Sequence, residues 1–195
     1  SVKAPVGQIF LVGLGEVKGL SARDFQDIGG AIFGHLNAAR ETRGTLAVEA
    51  VVGCRVKPEA IAANLAYGAR LSSYRFDKYR TEKTKAAHGQ PTLKRLSIQV
   101  KGAAKAKSCY APLEKVGDGV FLTRDLVSEP ANVLFPDALA KEAVKLRRLG
   151  VEVDVLDEKD MAKLGMGALL GVGSVVGDLV ESLMKREAGL KDSGR

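Results

Sequence analysis

Tryptophan is absent from the 195 residues, aromatic side chains make up only 5%, and cysteine and histidine occur twice each. Two cysteines, Cys54 and Cys109, are too few for a disulfide framework or a zinc cage. A reducing, cytoplasmic setting is the simplest expectation. His35 and His88 stand alone, with no second histidine or carboxylate at metal-ligand spacing. No apolar run approaches the roughly 18 residues of a membrane span. A basic-then-apolar leader with a small-residue cleavage site is also lacking, so secretion gains no support.

What remains is the composition of a folded α/β chain: 46% apolar, 27% charged, with 22 glycines for tight turns. A mass of 20.6 kDa suits one large domain, or one domain plus part of another. Charge is uneven. Residues 1–119 carry 19 Lys/Arg against 10 Asp/Glu, whereas residues 120–195 carry 11 against 13. Most of the excess lies in residues 70–107, where 11 basic side chains face only Asp77 and Glu82. Such a stretch suits a solvated basic surface, or contact with nucleic acid or another acidic partner.

Gln8 to Val12 is a short apolar run ending at Gly13, the pattern of a buried strand. Ser21 then serves as a helix N-cap with Asp24 three residues on, followed by Phe25, Ile28, Ile32, Phe33 and Leu36 at helical spacing. Gly29 and Gly30 inside that helix each cost roughly 1 kcal/mol against alanine, which points to close packing on a neighbour. Thr45 to Val52 reads as an interior strand, and Pro58 opens a helix carrying Ile61, Leu65 and Leu71. Residues 81–93 read as a loop and Leu93 to Val100 as a strand. A helix is expected over Leu113 to Val127, then a connector bracketed by Pro130 and Pro136. Asp137 to Leu149 is a helix stopped by Gly150. Val151 to Leu156 alternates as a half-buried strand, and Asp157 opens a helix ending at Gly165. Alternating strands and helices imply an α/β layered fold with a largely parallel sheet.

The chemistry-bearing patterns are weak. Gly13-Leu14-Gly15 follows a strand, but Lys18 stands where a dinucleotide fingerprint needs its third glycine, and the helix begins too late. Gly171-Val172-Gly173 is weaker still. Cys54 beside Arg55 reads as a structural thiol more readily than a reactive one. Asp154, Asp157, Glu158 and Asp160 cluster at the start of a helix, where acids complement its dipole. No nucleophile–base pair emerges from spacing, so no catalytic, cofactor-binding or metal-ligating residue is nominated.

Three segments together resemble one family. Residues 66–81, Ala-Tyr-Gly-Ala-Arg-Leu-Ser-Ser-Tyr-Arg-Phe-Asp-Lys-Tyr-Arg-Thr, resemble the "G…L.SYRFDKYKT" signature of two-metal leucyl (cytosol) aminopeptidases. Residues 123–136, Thr-Arg-Asp-Leu-Val-Ser-Glu-Pro-Ala-Asn-Val-Leu-Phe-Pro, are similar to that family's "RDLVNEPANVLTP", with Ser128 in place of asparagine. Residues 150–173 resemble the stretch leading into its catalytic domain. The likeness runs from about Ile9 to Gly173, in family order.

The resemblance implies a macro-domain-like N-terminal α/β domain over residues 1–118 and a connector with an interdomain helix over 119–149. Residues 150–195 would then be remnants of the catalytic α/β domain. It also implies homohexamers, and removal of N-terminal, leucine-like residues from peptides by water activated on two divalent ions, manganese, zinc or magnesium. The family's "GKG.TFD.GG" and "NTDAEGR" metal-ligand segments do not occur in this sequence. After Gly173 the likeness jumps: residues 175–182 resemble a strand deep in the catalytic domain, and residues 190–195 a segment further on. Joined pieces of a longer chain would leave fragments in that order; an internal deletion or degenerate copy is the other origin. Ser128, Glu129, Pro130 and Asn132 then belong to the connector, and Tyr74, Phe76 and Tyr79 to packing. Leu169, Leu170 and Val172 would need cover from the catalytic domain. Two further roles fit: a nucleic-acid-binding regulator acting through the basic N-terminal part, and a catalytically dead structural subunit.

Overall fold

The computed structural model describes residues 8–81, 90–163 and 165. They fall into two units, divided after Glu129. The α/β reading holds: the first unit is built around a β–α–β element with further helices on one face of its sheet.

Helix α1 (Ala22–Ala38) begins as the sequence implies. The Ser21 amide and hydroxyl both donate to Asp24 Oδ2, at 2.7 and 2.6 Å, which holds the first turn and depresses the Asp24 pKa. Strand β1 (Arg43–Val48) leads through a turn at Gly53 into α2 (Pro58–Ser72), with Pro58 preset for a first helical turn. Strand β2 (Arg95–Val100) returns parallel to β1, pairing Gly44 with Leu96, Leu46 with Ile98 and Val48 with Val100. These pairs face the helices. The alternate pairs, Arg43 with Arg95, Thr45 with Ser97 and Ala47 with Gln99, all lie on the exposed face.

The core lies between α1, α2 and the sheet, where Phe25, Ile32, Leu36, Val48, Ile61 and Leu65 are buried. Gly29 and Gly68 let the two helices approach to backbone contact. A Cβ on Gly29 would sit 2.2 Å from the Leu65 carbonyl oxygen, and one on Gly68 would sit 1.8 Å from that of Gln26. Asn64, buried at the same crossing, donates to the Ala60 carbonyl at 2.8 Å and accepts from Gln26 Nε2 at 2.8 Å. At the far end of α1, Asn37 Oδ1 accepts from the Thr92 and Leu93 amides at 2.9 and 3.1 Å. That contact sets where β2 begins.

Helix α3 (Ala103–Ser128) starts ten residues before the periodicity suggests. Its first turns, Ala-Ala-Lys-Ala-Lys, favour helix by propensity but offer no apolar stripe to read. Gly102, at φ +87°, makes the sharp entry, and Pro112 lies within the helix.

The second unit contains α4 (Pro136–Lys145), a 3-10 turn over Leu146–Leu149, and α5 (Glu158–Lys163). Gly150 at φ +83° ends the helical run as expected. Asp157 Oδ1 accepts the Asp160 amide at 2.8 Å and starts α5.

Two strand expectations are corrected. Residues 8–12 are irregular, with Ile9 and Leu11 exposed, and residues 151–156 are irregular too. Apolar alternation makes a strand only where a neighbouring strand takes up its backbone groups. Neither segment has such a neighbour among the described residues. The first instead lies along a groove beside β1.

Candidate functional site

The residues singled out for their chemistry are scattered. His35 is exposed in the last turn of α1, Cys54 is half-buried in the turn after β1, and Cys109 is half-buried on α3. Gly13 to Gly15 are irregular, ahead of a short 3-10 helix at Val17–Gly19, with no α-helix N-terminus following directly to hold a phosphate. Of the acids at 154–160, Asp157, Glu158 and Asp160 form the start of α5, where Asp160 also meets Lys163 at 3.4 Å, and Asp154 lies in the irregular segment before it. His88, Leu169, Leu170 and the glycines at 171 and 173 lie outside the described residues, as does Val172. No three His, Cys, Asp or Glu side chains come together as a metal site among the described residues. The donor set therefore does not fit a dimetal centre, and no step through metal ions is derived from these residues.

What the first unit does build is a clamp. Asp118, Asp125 and Glu129 stand seven and four residues apart on α3, which places them along one side of the helix. The end of α2 and the loop after it run alongside and take them in order. Arg70 donates to the Glu114 carbonyl at 2.7 Å and to Asp118 Oδ1 at 2.5 Å. The Tyr74 hydroxyl donates to Asp125 Oδ1 at 2.8 Å. Lys78 donates to Glu129 Oε1 at 2.6 Å, and the Tyr79 hydroxyl donates to Oε2 of the same carboxylate.

Aromatic rings fill the gaps between these pairs. Phe121 lies under the Arg70 guanidinium at 5.3 Å and meets Tyr74 at 5.2 Å, while Arg124 caps Tyr74 at 4.0 Å. Phe76 packs on Tyr79. Asp77 holds the loop by ion pairs to Arg75 at 3.3 Å and Arg80 at 3.6 Å. The charges answer to this geometry. Lys78 and then Tyr79 lower the Glu129 pKa, Arg70 lowers that of Asp118, and Glu129 raises that of Tyr79.

Each carboxylate faces a donor, so the arrangement fixes position and holds no poised acid, base or nucleophile. Tyr74, Phe76 and Tyr79 are thus packing and clamping residues within the first unit. Glu129, the C-cap of α3, is one end of the clamp, and Pro130 opens the second unit with its carbonyl accepting the Val133 and Leu134 amides. Asp118 and Asp125 were not singled out from sequence. Their signal was the acid spacing on α3 matching the spacing of Arg70, Tyr74 and Lys78.

The membrane question is simple: no described helix is long and apolar enough to cross one. Comparison with known proteins places the signature segments in context. The chain matches the N-terminal domain of the cytosol aminopeptidase family over residues 1–83 and that family's catalytic domain over residues 121–180. A probable cytosol aminopeptidase of Nitrobacter winogradskyi is 41% identical over 178 residues, covering 88% of this chain and 34% of that protein. One from Brucella anthropi is 44% identical over 178 residues, covering 87% and 34%. Among solved structures, a tomato leucine aminopeptidase variant superposes with a TM-score of 0.66 at 26% identity, over 79% of this chain and 30% of that one. The bottromycin maturation enzyme BotP in complex with Mn shares the fold, with a TM-score of 0.62 at 24% identity over 79% and 30%. The chain spans about a third of the length of the curated relatives it matches. With its two matched regions in family order and the clamp built from the signature between Tyr67 and Thr81, the chain belongs to the cytosol (leucyl) aminopeptidase family.

Proposed function

We propose that this chain is the N-terminal α/β part, the connector and a portion of the catalytic part of a cytoplasmic leucyl aminopeptidase. At family length that enzyme removes N-terminal, leucine-like residues from peptides as a homohexamer, using two divalent ions. The observation that supports this reading is the order of the two matched regions, N-terminal domain then catalytic domain, on a chain spanning a third of its relatives. Manganese, zinc and magnesium are the candidate ions, and a related fold has been solved with Mn. The residues in hand contribute the clamp, which fixes the last turn of α3 ahead of Pro130. They bring no metal-ligating cluster among the described residues, so the chain alone is expected to give no turnover on leucyl substrates.

The test is the intact mass of the protein isolated from its natural source, followed by hydrolysis of a leucyl peptide with manganese added. A mass well above 20.6 kDa with turnover supports the reading. A mass of 20.6 kDa with no turnover overturns it and leaves a structural subunit, which predicts hexamers or mixed oligomers by light scattering.

A second reading, nucleic-acid binding, rests on the pairing of Arg43 with Arg95 across the exposed sheet face. Like charges directly opposite are unfavourable without an anion between them. Phosphate contacts through these side chains predict affinity for duplex DNA that falls steeply with salt. Flat binding from low to moderate salt rejects this reading.

A further inference from the structure

A second cavity, of about 480 Å³ and open to solvent, lies on the first unit between α2, β2 and α3. Its walls are small or apolar: Ala62, Ala66 and Ala69 on α2, Leu96 and Ile98 on β2, and Ala106 on α3. Alanine on both helices is why the space exists, because side chains of leucine size at those positions would close it.

The two ends of the cavity differ. Since α2 runs antiparallel to β2, the start of α2 faces the end of β2, where Val100 and Ala103 keep the lining apolar. At the opposite end the last turn of α2 meets the start of β2, which gathers Arg70, Ser73 and Lys94, while the Arg95 side chain lies on the other, exposed face of the sheet. Tyr110 of α3 lies near Arg70, and Lys107 lines the cavity one turn earlier on α3. Arg70 is engaged by Asp118, but Lys94 and Lys107 have no carboxylate partner among the described residues. Among the described residues, no acidic side chain lines the cavity.

An apolar slot with an unneutralised cationic end is complementary to a molecule with an apolar tail and an anionic head. The volume falls within the roughly 300–1,000 Å³ range of ligand pockets. We infer that this cavity binds a small amphipathic carboxylate, with its tail along Leu96 and Ile98 and its head at Lys94 and Lys107. This goes beyond the proposed peptidase role and does not depend on it, since every described lining residue lies in the first unit.

The experiment titrates decanoate into the full 195-residue chain below the micelle concentration, followed by calorimetry and amide NMR shifts. One saturable site is expected, with shifts concentrated on α2, β2 and α3. Exchanging both exposed lysines (Lys94→Glu with Lys107→Glu) should weaken binding about tenfold. Ala66→Leu, which fills the slot, should abolish binding while circular dichroism stays native. Butyrate, lacking the tail, and decyltrimethylammonium, lacking the anionic head, should both fail. The inference is overturned if decanoate does not saturate, or if the ammonium analogue binds equally well. It is also overturned if binding survives Ala66→Leu in a natively folded variant, which would assign the rim cations to polyanions alone.

Discussion

The α-carbon of Gly29 faces the Leu65 carbonyl so closely that a methyl group there would sit 2.2 Å from the oxygen. Gly68 stands in the same relation to the Gln26 carbonyl, at 1.8 Å. The α1–α2 crossing therefore rests on backbone-to-backbone contact, and the helix propensity lost at two interior glycines is the cost of it.

Glycine-to-alanine exchanges along α1 should consequently split by position. Gly34 has nothing within 4 Å of its would-be Cβ, so Gly34→Ala should stabilise the unit by up to about 1 kcal/mol through helix propensity. Gly30→Ala should be close to neutral, because the obstacle is the movable Ser72 hydroxyl at 2.6 Å. Gly29→Ala and Gly68→Ala must push the helices apart and should lose roughly 1–3 kcal/mol or more. Urea denaturation of the four variants gives the ranking. Equal effects at Gly29 and Gly34 would show that the helices do not cross as described.

Asn37 makes a second prediction, about how β2 finds its place. Its side-chain oxygen is the acceptor for two backbone amides 55 and 56 residues away. Asn37→Ala leaves the Thr92 and Leu93 N–H groups without a partner in a part-buried position, at a cost of roughly 1–3 kcal/mol. Asn37→Asp keeps the acceptor and should be tolerated. Hydrogen exchange at the Thr92 and Leu93 amides should accelerate in the alanine variant and stay protected in the aspartate variant.

These two relationships also show what was legible in the sequence. Ser21, Asp24 and the run from Phe25 to Leu36 announce α1, and Gly29 and Gly30 announce a close neighbour, because capping and periodicity are local effects. The apolar runs at 8–12 and 151–156 announce strands that the described residues do not form. A strand depends on its pairing partner, and pairing is not a local property. Helix α3 was half-read, since its alanine- and lysine-rich start has propensity without a buried face. The clamp was missed as a clamp although its aromatic half lies in the signature. Asp118 and Asp125 acquire meaning only when α2 is laid beside α3. The absence of a nominated active site followed from spacing alone.

Arg70 is the branching point of that clamp, and its shape matters more than its charge. One guanidinium reaches the Glu114 carbonyl and the Asp118 carboxylate, one helical turn apart, while lying over Phe121. A lysine ammonium has no planar fork to serve both acceptors. Arg70→Lys should therefore lose the carbonyl bond, roughly 1 kcal/mol, and Arg70→Ala should lose more. If lysine matched arginine in urea denaturation, the charge alone would be sufficient.

Glu129 gives the clamp a defined pH response. Its carboxyl is held below the ordinary 4.5 by hydrogen bonds first from Lys78 and then from Tyr79. A depressed folded-state pKa means the contribution is fully present above 4.5 and disappears as pH falls through the lower folded value. Tyr79 works in the opposite sense. Glu129 raises its pKa above the ordinary 10.0, so its share is present below 10.0 and lost as pH rises through the higher folded value. The Lys78–Glu129–Tyr79 contact should hold steady from about pH 5 to 9 and weaken at both extremes. Glu129→Gln should flatten the acid limb of a stability-versus-pH curve measured by urea denaturation, and Tyr79→Phe the alkaline limb. The same two variants should speed trypsin cleavage after Lys78 and Arg80 at neutral pH, because the loop is then released from α3. A Glu129→Gln curve that keeps the full acid dependence would place that titration on Asp118 with its Arg70 pair, or on the Ser21-bonded Asp24, instead.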